Sequence, residues 1–115
     1  MDQNKLIVSN WKMNLNLSDS EKLINKLINS TFKKKPYLKN IICPQFLLIP
    51  SISNLIKNSN LLLGAQNCHF ERKGAFTGES SIELLKQFNC KYVILGHSER
   101  RLFSADSNLL VKKKN

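Results

Sequence analysis

The chain has 115 residues, 42% of them hydrophobic, and a formal net charge of +10. That length suits one domain, the apolar content excludes a disordered tail, and no apolar run approaches the roughly 18 residues that cross a bilayer. Three cysteines, Cys43, Cys68 and Cys90, form no C-x-x-C pair, which argues against a disulfide framework and for a reducing cytoplasmic setting. The start, Met1-Asp2-Gln3-Asn4-Lys5, lacks a basic stretch followed by a long apolar core, so no secretory leader is expected. Neither is a membrane partner.

In chain order, Lys5 to Ser9 reads as a strand. Ser18-Asp19-Ser20-Glu21 has the form of a capping box, opening a helix in which Leu23, Ile24, Leu27 and Ile28 recur on one face. Lys33 to Lys39 forms a basic connection broken by Pro36. Ile41-Ile42-Cys43 is a short buried strand that Pro44 stops, and Leu48 to Lys57 is a second helix with Pro50 near its start. Leu61 to Ala65 gives a third strand. Gln66 to Glu79 has no helical periodicity, and a connection of that length in a compact domain is usually functional or disordered. Ser80-Ser81-Ile82-Glu83 is a second capping box, ahead of Leu84, Leu85 and Phe88.

Tyr92 to Leu95 is the fourth strand. Gly96 lets the backbone turn sharply, and His97 falls where that strand ends and a helix begins. Ser98 and Glu99 open the helix, where a carboxylate is favoured by the unpaired N–H groups. The alternation predicts βα units on a parallel sheet, hence an α/β fold. With no linker or repeat, residues 1–115 read as one unit and no second domain.

Three segments carry a more specific signal: Asn10-Trp11-Lys12-Met13-Asn14, Gly74-Ala75-Phe76-Thr77-Gly78-Glu79, and Leu95-Gly96-His97-Ser98-Glu99-Arg100-Arg101. In this order and at these intervals they resemble the first-strand, third-loop and fourth-strand motifs of the triosephosphate isomerases. The resemblance runs from Lys5 to Arg101, after which the motif letters fade. It implies a TIM (β/α)8 barrel, here only its first four βα units, since a whole barrel takes roughly 250 residues.

The resemblance also implies roles. Asn10 and Lys12 would contact a triose phosphate substrate. His97, a neutral imidazole as is established for this family, would polarise the carbonyl, with Glu99 in support. No cofactor and no metal are implied. Phe76, Thr77 and Gly78 would contact a second subunit of a homodimer. The family's glutamate base, near the sixth strand, matches no residue here, so the chain alone is expected to be inactive. The alternative is a catalytically dead half-barrel serving as a basic binding or assembly module.

The bland readings differ in weight. A lone lysine after a strand is ordinarily exposed charge and a lone histidine ordinarily structural; the surrounding motifs lift Lys12 and His97 above that. Trp11 reads as packing, and Cys68-His69 with Cys90 fits no zinc spacing. The positive charge is mainly lysine, clustered at Lys33-Lys34-Lys35 and Lys112-Lys113-Lys114, and such runs are usually solvated. Arginine, the better phosphate fork, occurs only at Arg72, Arg100 and Arg101, so no nucleic-acid partner is expected.

Overall fold

Strand and helix alternate along the chain in the computed structural model, which describes residues 5–30 and 37–115. The Lys33 to Lys35 run, Pro36 and the start before Lys5 lie outside these residues. The elements are β1 (Lys5–Asn10), α1 (Leu17–Ile28), β2 (Leu38–Cys43), α2 (Ile49–Ile56), β3 (Leu61–Ala65), α3 (Ile82–Gln87), β4 (Cys90–Val93), α4 (Ser98–Phe103) and α5 (Asn108–Lys114). The strands pair in the order β1-β2-β3-β4, all parallel, so a crossover must return the chain between each pair. This is the α/β architecture the alternation predicts, with half the strands of a closed (β/α)8 barrel.

Local chemistry moves several boundaries. Asn16, not Ser18, caps α1: its side chain accepts the Asp19 N–H at 2.8 Å. Asparagine is among the strongest caps, and it satisfies an N–H that a box at Ser18 would have left inside the helix. Ser81, not Ser80, caps α3, accepting the Leu84 N–H at 3.2 Å. β2 starts at Leu38 because Lys39 and Asn40 pair with Leu6 and Ile7; ladder bonds involve the backbone and tolerate polar side chains. β4 lies two residues earlier than the apolar run Tyr92 to Leu95, beside a register shift at Leu63/Gly64. Ile94 N–H still donates to Ala65 O at 2.8 Å beyond its end.

One face of the sheet carries the core. Ile42, Leu61, Leu63, Ala65 and Cys90 pack with Ile24 of α1, Ile49, Ile52 and Ile56 of α2, Leu85 of α3, and Trp11. Leu23, Leu27 and Ile28 join them, so the helical stripe read from the sequence is the buried one. Each such side chain, fully buried, stabilises by about 1.5–3 kcal/mol relative to exposure. All three cysteines are free and buried, and burial, helped by Cys90, pushes the Cys43 thiol up to about 11.

The other face is apolar too, with Ile41 and Cys43 buried on it and Val8 half exposed. Ladder partners point to one side, so Val8, Ile41 and Leu62 share this face with Cys43 and Gly64. Only glycine fits at position 64, since a Cβ there would lie 2.6 Å from Cys43 Sγ and 3.1 Å from Ile41 Cγ2.

Beyond β4 the structure corrects the reading of Lys112 to Lys114 as a solvated run. Leu110, Val111 and Lys114 fall on one face of α5 by helical spacing; Lys112 and Lys113 face water, but Lys114 is buried. Its Nζ lies 2.9 Å from Asn67 Oδ1 and 3.3 Å from Asp106 Oδ2. Asp106, equally buried, takes a two-pronged contact from Arg100, 2.8 Å from Nε and 3.3 Å from Nη2. Burial alone would raise the Asp106 carboxyl; the hydrogen bonds and charges of Arg100 and Lys114 outweigh it and hold the group below its ordinary range. Breaking a buried ion pair on one side is strongly destabilising.

Asp106→Asn should therefore lower the unfolding free energy by about 3 kcal/mol or more, read as a lower urea midpoint. Because the folded carboxyl is depressed, this stability is present above the unfolded carboxylate range and is lost as pH falls through the folded value. An unchanged midpoint in the variant at neutral pH would show that the cluster contributes nothing.

Candidate active site

The parallel sheet brings the C-terminal end of every strand to one side. β1 ends at Asn10, and the chain turns through Trp11 with Lys12 at φ +55° and Leu15 at φ +72°. Left-handed backbone at a residue bearing a Cβ costs of order 1–3 kcal/mol and persists only where neighbours enforce it. Here the neighbours are polar side chains. Asn10 Oδ1 accepts the Lys12 N–H at 2.9 Å. Gln66, just past β3, donates through Nε2 to Lys12 O at 2.7 Å and Cys43 O at 3.0 Å. Gln45, just past β2, donates to Asn14 O at 3.1 Å. Trp11 itself is buried in the core, as its packing role requires.

At the end of β4, Gly96 has φ +63°, and a Cβ there would lie 2.7 Å from Arg101 Nη2 and 3.0 Å from Val111. His97 then caps α4, its Nδ1 accepting the Glu99 N–H at 3.2 Å. A ring nitrogen that accepts a hydrogen bond carries no proton, so this bond selects the tautomer protonated at Nε2. Glu99 Oε2 lies 3.7 Å from the same Nδ1, beyond hydrogen-bond range. Its Oε1 is 2.7 Å from Lys12 Nζ, with both side chains about half exposed. The hydrogen bond from Lys12 is the main reason the Glu99 carboxyl sits below its ordinary value.

Asn10, Lys12, Gln66, His97, Glu99 and Arg100 line one open cleft of about 390 Å³. All four residues assigned to substrate or catalysis by resemblance thus meet. A cation and an imidazole N–H donor in one cleft can bind an anionic, oxygen-rich ligand and stabilise charge developing on its oxygens. Among the described residues Glu99 is the only carboxylate lining the cleft, and Lys12 holds it. The motifs did not single out Gln45, Gln66 or the buried Asp106. The two glutamines had one available signal, their place just past strand ends, where parallel α/β sheets collect functional groups.

The loop residues lie apart from this cleft. Phe76 folds onto His69, ring centroids 4.1 Å apart, and His69 stacks on Phe70 at 4.4 Å. Thr77 and Gly78 are exposed at the turn. Among the described residues no group of three His, Cys, Asp or Glu side chains could hold a metal.

The Lys12–Glu99 contact is testable by carbon-detected NMR of the Glu99 carboxyl. It should titrate below 4.5 in the native chain, and Lys12→Met should move the midpoint upward. The depressed value means that the pair is intact above the ordinary carboxylate range and is lost as pH falls through the Glu99 midpoint. The same midpoint in both proteins would remove Lys12 as the cause.

The triosephosphate isomerase family model matches residues 5–115. The match therefore continues past Arg101, where the motif letters fade. Triosephosphate isomerase of Aquifex aeolicus is 43% identical over 111 residues, covering 96% of this chain and 44% of the relative. That of Clostridium tetani is 41% identical over 109 residues, 95% of this chain and 42% of the relative. That of Dictyoglomus thermophilum is 41% identical over 110 residues, again 96% and 44%. The chain spans less than half the length of these relatives. With motifs, parallel topology and cleft in agreement with a family match along nearly all of its length, this chain belongs to the triosephosphate isomerase family.

Proposed function

We propose that this chain supplies half of the active site of a triose-phosphate isomerase, which interconverts dihydroxyacetone phosphate and D-glyceraldehyde 3-phosphate through an enediolate. The observation that carries this reading is the meeting of Asn10, Lys12, His97 and Glu99 in one cleft at the ends of β1 and β4. Lys12 supplies positive charge to the phosphate and to the enediolate. His97, with its proton on Nε2, donates to the carbonyl oxygen and carries a proton between the two substrate oxygens. Asn10 contacts substrate and fixes the Lys12 backbone, while Glu99 steadies the lysine. Every step is a proton transfer among side chains and substrate, so the reading calls for no metal or cofactor.

A base must still remove the carbon-bound proton. The reading places it in the other half of the barrel, with residues 1–115 forming a single N-terminal unit. Exposure of Thr77 and Gly78 at the turn after Phe76 supports a subunit contact there, and hence a homodimer once the barrel is whole; the free cysteines fit a cytoplasmic setting. One observation favours the second reading, a catalytically dead half-barrel: the cleft's carboxylate is already engaged by Lys12.

The purified 115-residue chain should give no isomerase turnover above background. Refolding it with the C-terminal half of the Aquifex relative should restore turnover, and Lys12→Met in that complex should lower it by roughly a hundredfold or more, the scale of losing one preorganised donor. Near-normal turnover of the variant complex would remove Lys12 from the mechanism. Robust turnover by the chain alone, abolished by His97→Ala, would place a base within these residues.

A further inference from the structure

Three strand ends meet at one side chain. Gln66 stands directly after β3, half-buried, on the wall of the cleft that Lys12 and His97 share. Its Nε2 donates to Lys12 O, just past β1, at 2.7 Å and to Cys43 O, the last residue of β2, at 3.0 Å. The Trp11 N–H donates to the same Cys43 oxygen at 3.0 Å, so both lone pairs of that carbonyl are taken. Two carbonyls facing one side-chain amide fix which end of it points at them, because only the nitrogen carries hydrogens.

We propose that Gln66 is the positioning residue for Lys12: by pinning the Lys12 carbonyl it holds the left-handed backbone that aims the lysine into the cleft. The inference rests on the isomerase reading for what the lysine does there, but not for how it is held. A peptide plane is rigid, so the φ and ψ of a residue are set once the planes on both sides of it are fixed. The plane before Lys12 carries its N–H, which Asn10 Oδ1 accepts at 2.9 Å. The plane after it carries the carbonyl that Gln66 holds. Asn10 acts from two residues away within the same turn and leaves ψ free. Of the two bonds to the Lys12 backbone among the described residues, only the one from Gln66 comes from another strand end.

Nothing else present replaces that bond. Gln45 Nε2 reaches Asn14 O, two residues further along the turn. The Lys12 side chain meets Glu99 Oε1 at 2.7 Å, but a long flexible stem with both groups half exposed cannot enforce a strained backbone. Released from Gln66, Lys12 should leave φ +55° for the negative values that a residue bearing a Cβ prefers. Its Cβ then swings, and Nζ moves away from Glu99.

Gln66→Met in the 115-residue chain tests this, since methionine keeps the length and fills the space but donates nothing. The Lys12 Cα and carbonyl resonances should leave the values of left-handed backbone. The Glu99 carboxyl midpoint should rise to that of Lys12→Met. Gln66→Glu, which keeps the shape and has no proton to donate at neutral pH, should shift the same Lys12 resonances, and serves if Gln66→Met loses structure. In the complex refolded with the C-terminal half of the Aquifex relative, Gln66→Met should lower kcat/KM roughly a hundredfold, the scale of an ångström's misplacement. Native Lys12 resonances in the variants would overturn the proposal, even with a lowered urea midpoint, because Gln66 would then serve stability alone. Shifted resonances with undiminished turnover would overturn it equally. An inactive native complex would instead remove the isomerase reading, and the Lys12 resonances would still decide whether Gln66 holds the lysine.

Discussion

Backbone hydrogen bonding between parallel neighbours obliges the chain to travel back along the outside of the sheet before each new strand begins. With the order β1-β2-β3-β4, three such returns bring four strand ends to one side, and each end delivers something there. Asn10 and Lys12 follow the first, Gln45 the second, Gln66 the third and His97 the fourth. No two of the five belong to the same βα unit except Asn10 and Lys12. The helices that make the returns bury Ile24, Ile49, Ile52, Ile56 and Leu85 against one face of the sheet. A change of direction in any one strand would send its contribution to the opposite end.

The cleft also depends on the segment after β4. Arg100 borders the cleft and is held by Asp106, which shares Lys114 with Asn67. One carboxylate thus ties α4, α5 and the loop after β3 together. Arginine suits this post because its planar guanidinium meets a carboxylate with two parallel bonds. Lysine suits the other because a long apolar stem can run inward with the charge at its tip. The arrangement is a local triad of opposite charges, each satisfied, in a chain whose overall balance is strongly positive.

Much of this was legible in the residues. Strand runs such as Leu61 to Ala65 stood out because buried parallel strands are continuously apolar, and the helical stripe of Leu23, Ile24, Leu27 and Ile28 followed from spacing alone. The four cleft residues were found through motif resemblance; composition and periodicity would not have distinguished Lys12 from any other lysine here. Boundaries failed where side chains compete. Asn16 and Ser18 are both good caps, and the choice between them is made by which N–H groups the packed helix leaves free. The inward turn of Lys114 was hidden for a different reason: a run of identical residues has no period to read. Nor does a glutamine announce that both its amide hydrogens serve as backbone clamps, as those of Gln66 do.

The left-handed backbone at Lys12 has a consequence for how such a gene changes. Lysine and asparagine codons differ only in their third base, so one substitution replaces Lys12 with asparagine. Asparagine is among the few non-glycine residues that accept this region of φ readily. The exchange relieves strain at an exposed position but gives up the ion pair of Lys12 with Glu99. Selection on the charge of the cleft would forbid it. Under the proposed function, a lysine standing at φ +55°, in a chain where asparagine is abundant, marks a position at which chemistry outweighs conformational comfort.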